Sequence, residues 1–250
     1  MTRYTPHRPP RRPERDVSRP VPRSPPASRR PPAAASSTPG SPTPGRTPSA
    51  PVAALSSSGA TTAGCCLWRL VERWCAVADP ADGTVLDRCE GAVLDVGCGP
   101  GRLVHALAAA GRPVLGIDVC QEAVDRTVDG GGTALLRSVF DPLPAEGRWG
   151  TVLLMDGNIG IGGDPGQLLA RAAELVEPEG QLLVEAAAPD VDERVAVRVV
   201  DGRGAHGADF RWARVGARAL PAYADATGWR VERRWRAGNR SFLQLRRRRR

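Results

Sequence analysis

Three glycines within five residues, Gly97, Gly99 and Gly101 in "LDVGCGPGRL" (94–103), stand where an apolar run gives way to a helical pattern. Glycine weakens the interior of either element. What it supplies is bare backbone that a ligand can approach, beside the unpaired N–H groups of a helix start. Asp95 precedes the turn, and Asp118 follows Gly97 by 21 residues at the end of "GID". A carboxylate at the end of the next strand can accept hydrogen bonds from both ribose hydroxyls of an adenosine cofactor. The alternative is that Asp118 caps the helix opening at "CQEAV". A P-loop needs a lysine, and the chain has none. A dinucleotide turn, G-x-G-x-x-G, needs a third glycine for close helix packing. Arg102 occupies that place and Pro100 stiffens the turn, which weakens the dinucleotide reading without eliminating it.

The elements that position these residues follow from periodicity. "GAVLDVG", "PVLGID", "TALLRSVF", "GTVLLMD" and "QLLVEAA" are short apolar runs, as expected of strands buried on both faces. Helical patterns separate most of them: "GRLVHALAAAG", "CQEAVDRTVDG" and "DPGQLLARAAELVEPEG", the last with Asp164 as N-cap and Pro165 in the first turn. An amphipathic helix is expected at 62–78, ended by "ADPADG" (78–83). "RVAVRVV" (194–200) alternates in period two and opens a hairpin whose turn falls near 201–207. "RALPAYADATG" is helical, and "WRVERRW" and "SFLQL" are strands joined at Ala237-Gly238-Asn239. The glycine-rich "GNIGIGGDPG" (157–166) is expected to be a mobile loop at the mouth of the site. Together these predict a parallel α/β sheet finishing in an antiparallel hairpin.

Composition divides the chain. Residues 1–60 hold 15 of the 24 prolines and ten arginines against only Glu14 and Asp16, so they carry the whole net charge of +8. Such a segment cannot bury enough apolar surface to offset its ordering entropy and is expected to be disordered. Residues 61–245 form the expected folded domain and 246–250 a basic tail of five arginines. A basic tail, unlike a basic domain face, argues only weakly for nucleic acid. The six cysteines form no C-x-x-C pair and suit buried thiols in a reducing cytoplasm better than zinc or disulfides. Neither a targeting signal nor an apolar run of membrane-spanning length is expected.

At this point the sequence resembles the class I S-adenosylmethionine-dependent methyltransferases. The ordered set "VLDVGCGPGRLVHALAAAG", "PVLGIDVC", "SVFDPLP", "WGTVLLMDGNIG" and "LVEPEGQLLVE" carries the resemblance over about 90–188. "MDGNIGIGGDP" and "FRWARVG" are similar to an actinobacterial-type small-molecule branch. The resemblance implies a three-layer, Rossmann-like fold with a seven-stranded, mostly parallel sheet. It implies S-adenosyl-L-methionine as cofactor, with Gly97, Cys98 and Gly99, flanked by Gly101, along its methionine part. Asp95 would orient the amino group, Asp118 with Val119 beside it would take the ribose, and Phe140 and Asp141 would flank the adenine. Asp156, Gly157 and Asn158 would face the sulfonium and acceptor side. Trp212 and Arg214 are candidates for an acceptor pocket and His206 for a general base, whereas His105 is expected to be structural. "MDGNIG" lacks the motif of nucleic-acid amino methyltransferases, and "VEAAAPD" lacks the Asp-Asn pair of metal-dependent ones. The expected partner is therefore a small-molecule acceptor, with no metal. The alternatives are a nicotinamide-dependent oxidoreductase, a non-catalytic cofactor-binding module and an RNA methyltransferase.

Overall fold

The computed structural model of the protein describes residues 54–57, 74–188, 190–200 and 209–248. Two sheets are present among them. The larger joins seven strands in the order β4-β3-β2-β5-β6-β10-β9: β2 (Val93–Val96), β3 (Val114–Asp118), β4 (Ala134–Leu136), β5 (Trp149–Leu154), β6 (Val176–Ala186), β9 (Trp229–Ala237) and β10 (Arg240–Arg247). β2, β3, β4, β5 and β6 run parallel, and β10 is antiparallel to both of its neighbours. The switch point lies at β2, where the chain turns from the β3 side to the β5 side, so a crevice opens beyond its carboxyl end.

Period-two alternation sorts the core into two layers. Leu94, Val96, Val152, Leu154, Leu182, Val184, Leu243 and Leu245 pack toward α4 (Pro165–Leu175) and α5 (Leu220–Ala226). Val93, Leu153, Met155, Leu183 and Phe242 pack toward α1 (Pro80–Leu86) and α2 (Arg102–Ala109). α3 (Gln121–Asp129) lies beside α2. Two runs behave differently from their sequence reading. "ADPADG" begins a helix rather than ending one. Asp79 is the N-cap, with Asp79 and Asp82 forming a reciprocal capping box and Pro80 in the first turn, where a missing N–H costs nothing. The helix after Asp164 stops at Leu175, and Val176 is already extended, two residues before Pro178. The expected helix at 62–78 lies outside the described residues as far as 73, and beyond Trp74 the chain turns.

The smaller sheet, β1-β7-β8, is antiparallel: β1 (Ala54–Ser57), β7 (Asp192–Val200) and β8 (Phe210–Val215). Ala54–Ser57 thus pair with β7, although they belong to the segment expected to be disordered. The turn near 201–207, with His206, lies outside the described residues. The loop after β5 is packed against β8. Ile161 bridges to Trp212, and a Cβ on Gly160 would overlap the Ala213 carbonyl and stand 2.5 Å from Trp212 Nε1. A Cβ on Gly163 would meet Arg211 Cβ at 2.6 Å. These glycines permit close contact between two backbones, so the segment read as a mobile loop is a packed wall.

Candidate active site

A cleft of about 390 Å³ opens at the carboxyl ends of β2, β3 and β5. Its floor is the glycine turn. Gly97 has φ +71, and a Cβ there would stand 2.6 Å from Asn158 Nδ2. That amide donates to the carbonyls of Val96 (2.7 Å) and Gly97 (3.0 Å), so Asn158 braces the turn while also lining the cleft. Gly99 has φ +54, and a Cβ there would meet nothing within 4 Å, which leaves its face open. Gly101, at φ +87, is the N-cap of α2 and lies against Thr127, outside the cleft lining.

Asp118 ties two turns together. Its Oδ2 accepts from the Gly99 N–H and its Oδ1 from the Cys120 N–H, both at 2.9 Å. Asp118 does not cap α3, whose N-cap is Cys120 without a side-chain cap bond; it fixes the turn just before that helix and lines the cleft, with lone pairs remaining for a ligand. Asp95 is buried, 2% exposed, and its carboxyl makes no hydrogen bond among the described residues. Burial, with Asp156 and Asp118 adding repulsion, pushes it up to about 8. Burial likewise pushes the Cys98 thiol up, which keeps it a neutral wall rather than a nucleophile.

The remaining candidates divide. Val119 and Asp156 line the cleft, whereas Gly157 does not. Phe140 and Asp141 also lie outside it, whereas Ser138 and Val139, two residues earlier, line it. The strand ends at Leu136, and Asp141 Oδ2 accepts from the Ser138 N–H at 3.1 Å, closing a turn that carries Phe140 over Gly162. Trp212 lines the cleft with Phe210, their rings 6.0 Å apart and T-shaped. Arg214 does not line it; it pairs with its cross-strand neighbour Glu193. His105 donates from Nε2 to the Thr127 carbonyl at 2.9 Å, a structural bond between α2 and α3.

Sequence reasoning missed Arg102, which lines the cleft and pairs with Asp82 and Asp156. Its position in the motif was visible, but its partners come from α1 and the loop after β5. Arg126, Arg137 and Ile161 were missed as well, and Trp74 and Cys75 enter from the residues before α1.

These residues fit a nucleoside that carries a positive charge. An unbonded, buried carboxyl faces the cleft beside a turn without side chains, and a second carboxylate stands at the neighbouring strand's end.

Comparison with known proteins bears on the same region. Among solved structures, the fold is shared with an S-adenosylmethionine-dependent methyltransferase from Bacteroides fragilis in complex with S-adenosyl-L-homocysteine. That match has 21% identity, 78% of this chain and 87% of that chain covered, and a TM-score of 0.63. The CcbJ methyltransferase from Streptomyces caelestis matches at 17% identity over 69% of this chain and 92% of its own, with a TM-score of 0.54. The sugar N-methyltransferase KedS8 from Streptoalloteichus sp ATCC 53650 matches at 16% identity over 73% and 93%, with a TM-score of 0.52. None of the curated proteins matches the chain in sequence. A family model described as a methyltransferase domain matches residues 70–233, from just before α1 into β9, and therefore spans the cleft and the five parallel strands that build it. By that match over more than half its length, the chain belongs to the methyltransferase-domain family.

Proposed function

We propose that this chain is an enzyme that transfers a methyl group from S-adenosyl-L-methionine to a small-molecule acceptor. The observation that carries the reading is Asp95: a buried carboxyl without a hydrogen-bond partner among the described residues, facing a cleft whose floor is bare backbone. Burial keeps such a group protonated until a cation joins it. When bound, the cofactor supplies a methyl on a positively charged sulfur, ready for in-line displacement.

The chain's own residues bind, orient and exclude water. Asp118 offers its remaining lone pairs to the ribose hydroxyls. Val119, Ser138 and Val139, all in the cleft lining, border the base, the valines with apolar surface and Ser138 with a hydroxyl. Gly97, Cys98 and Gly99 let the methionine part lie along the main chain, and Asp95 meets its amino group. Phe210, Trp212 and Ile161 form the wall against which an acceptor is oriented. Positioning and the exclusion of water supply most of the rate in such a displacement. His206, outside the described residues, is the candidate base for an acceptor that must lose a proton.

The finer assignments belong to the same proposal. Residues 61–245 are the body of the catalytic domain, extended at both ends by the sheets: Ala54–Ser57 of the extension pair with β7, and β10 takes in Arg246 and Arg247 of the basic run. The enzyme is of the actinobacterial small-molecule type and works in the cytoplasm. No helix among the described residues is long and apolar enough to cross a membrane. Isothermal titration of the purified chain tests the core of the reading. S-adenosyl-L-methionine and S-adenosyl-L-homocysteine are expected to bind at one site, and NADH is expected not to bind. Binding of NADH without either of the other two overturns the proposal.

A further inference from the structure

One side of the cleft is formed by two aromatic rings from β8. Phe210 and Trp212 stand two residues apart and so share one face of the strand. The alternate residues Ala213 and Val215 point the other way and are fully buried in the core beneath α4 and α5. Alternation therefore turns the aromatic face out of the core and toward the cleft. Phe210 keeps 37% of its surface exposed there. Apolar side chains exposed singly are ordinary on a protein surface, but two rings directed into a cleft form a binding wall.

This wall is fixed at both ends. Ile161 bridges to Trp212, and the pyrrole side of the indole lies against Gly160, where a Cβ would stand 2.5 Å from Nε1 and 2.8 Å from Cδ1. At the other end the Ala187 N–H donates to the Val215 carbonyl at 2.8 Å, which ties β8 to the residue after β6. The rings are thus in place before a ligand arrives, so little ordering entropy is lost on binding. The wall also adjoins the donor side. Asn158, which braces the glycine turn, opens the 3-10 turn Asn158–Gly160, and Ile161 closes it. The two rings meet edge to face, their centroids 6.0 Å apart and their planes at 80°, which makes a corner of two nearly perpendicular surfaces. A third flat ring entering that corner can stack on one face and meet the other ring edge-on. A saturated ring of the same size gains the burial but not this directional attraction.

We propose that Phe210 and Trp212 determine acceptor specificity and that the acceptor is a flat aromatic molecule, its ring seated in this corner and its methyl-accepting atom turned toward the donor side. This rests on the donor reading of the cleft given above and adds the class of acceptor to it.

The test uses the full chain saturated with S-adenosyl-L-homocysteine and three probes: 2-naphthol, its saturated counterpart 2-decalol, and D-glucosamine as an amino sugar. Titration is expected to show 2-naphthol binding about threefold or more tighter than 2-decalol, with D-glucosamine weakest. In Trp212→Leu that preference is expected to fall to about one while the affinity for S-adenosyl-L-homocysteine holds, because apolar surface is kept and ring geometry is lost. Phe210→Leu, at a partly exposed position, is expected to lower the preference too, and it decides if Trp212→Leu does not fold. Arg214→Gln, on the same strand but outside the cleft lining, is the control and leaves the preference unchanged; a change there is general loosening and overturns the proposal. Equal binding of 2-naphthol and 2-decalol, tighter binding of D-glucosamine, no binding of 2-naphthol, or an unaltered preference in the leucine variants overturns it as well. Failure of the wild-type chain to bind S-adenosyl-L-homocysteine is a different result, because it removes the donor reading itself.

Discussion

Asp118 and Asp95 both line the cleft, but their surroundings give them different work. Asp118 accepts two backbone N–H groups and holds the glycine turn against the start of α3. Asp118→Ala is expected to weaken cofactor binding by about tenfold or more, read by titration calorimetry. Unchanged affinity would remove it from the ribose site. Asp95 has no such partner and is pushed up to about 8 by burial and by the nearby Asp156 and Asp118. An unfolded aspartate titrates near ~3.9. Between that value and about 8 the folded chain without cofactor keeps a proton that the unfolded chain has lost. The contribution of Asp95 to stability is therefore full below the window, falls as pH rises through it, and is level above it. Asp95→Asn is expected to flatten this slope in thermal unfolding measured across pH. At pH 7 a cationic ligand should release a proton from Asp95, measured by titration in buffers of different ionisation enthalpy, and the same variant should abolish the release. Asp95, Gly97, Gly99 and Asp118 were legible in the sequence because one strand–turn–helix unit and its successor encode them locally. That Ser138 and Val139 line the cleft while Phe140 and Asp141 do not was not legible, because the turn closed by Asp141 is invisible to periodicity.

At the scale of elements, glycine has two uses that the sequence alone does not separate. Gly160 sits where the loop after β5 presses on β8, and a Cβ would overlap the Ala213 carbonyl. Gly160→Ala is expected to destabilise the fold by about 1–3 kcal/mol through overpacking, and to shift Trp212. Gly83, inside α1, would place a Cβ in open space. Gly83→Ala is expected to stabilise by about 0.5–1 kcal/mol, since alanine loses less backbone entropy in a helix. Urea unfolding of the two variants checks both signs. The strands and helices around the motif were legible because apolar runs and 3.6-residue spacing follow directly from burial. The start of α1 was not, because Asp-Pro reads equally well as a break and as a first turn, and only the Asp79–Asp82 box decides.

For the whole molecule, β10 lying antiparallel between β6 and β9 is what brings Arg240 to Glu185 and, through it, to Asp156. The pairing of β1 with β7 divides the N-terminal extension. Deleting residues 1–48 is expected to leave the thermal midpoint within about 2 °C. Deleting 1–60 also removes β1 and is expected to lower the midpoint further, read by scanning calorimetry. The sequence by itself determined the α/β class, the parallel run closing in an antiparallel hairpin, and the glycine turn with the carboxylates that line the cleft beside it. All of these rest on local spacing, on burial periodicity and on residue types that are present or missing, including the absent lysine. Only the tertiary structure decided which strands are neighbours, which face of β8 meets the loop after β5, and which charges meet under the cleft. Arg240 and Asp82 are 158 residues apart. Period-two alternation says that Glu185 and Arg240 each point to one face of a strand, but not that the faces are shared. Strand order settles that, because it places a side chain from the end of the chain against one from its beginning.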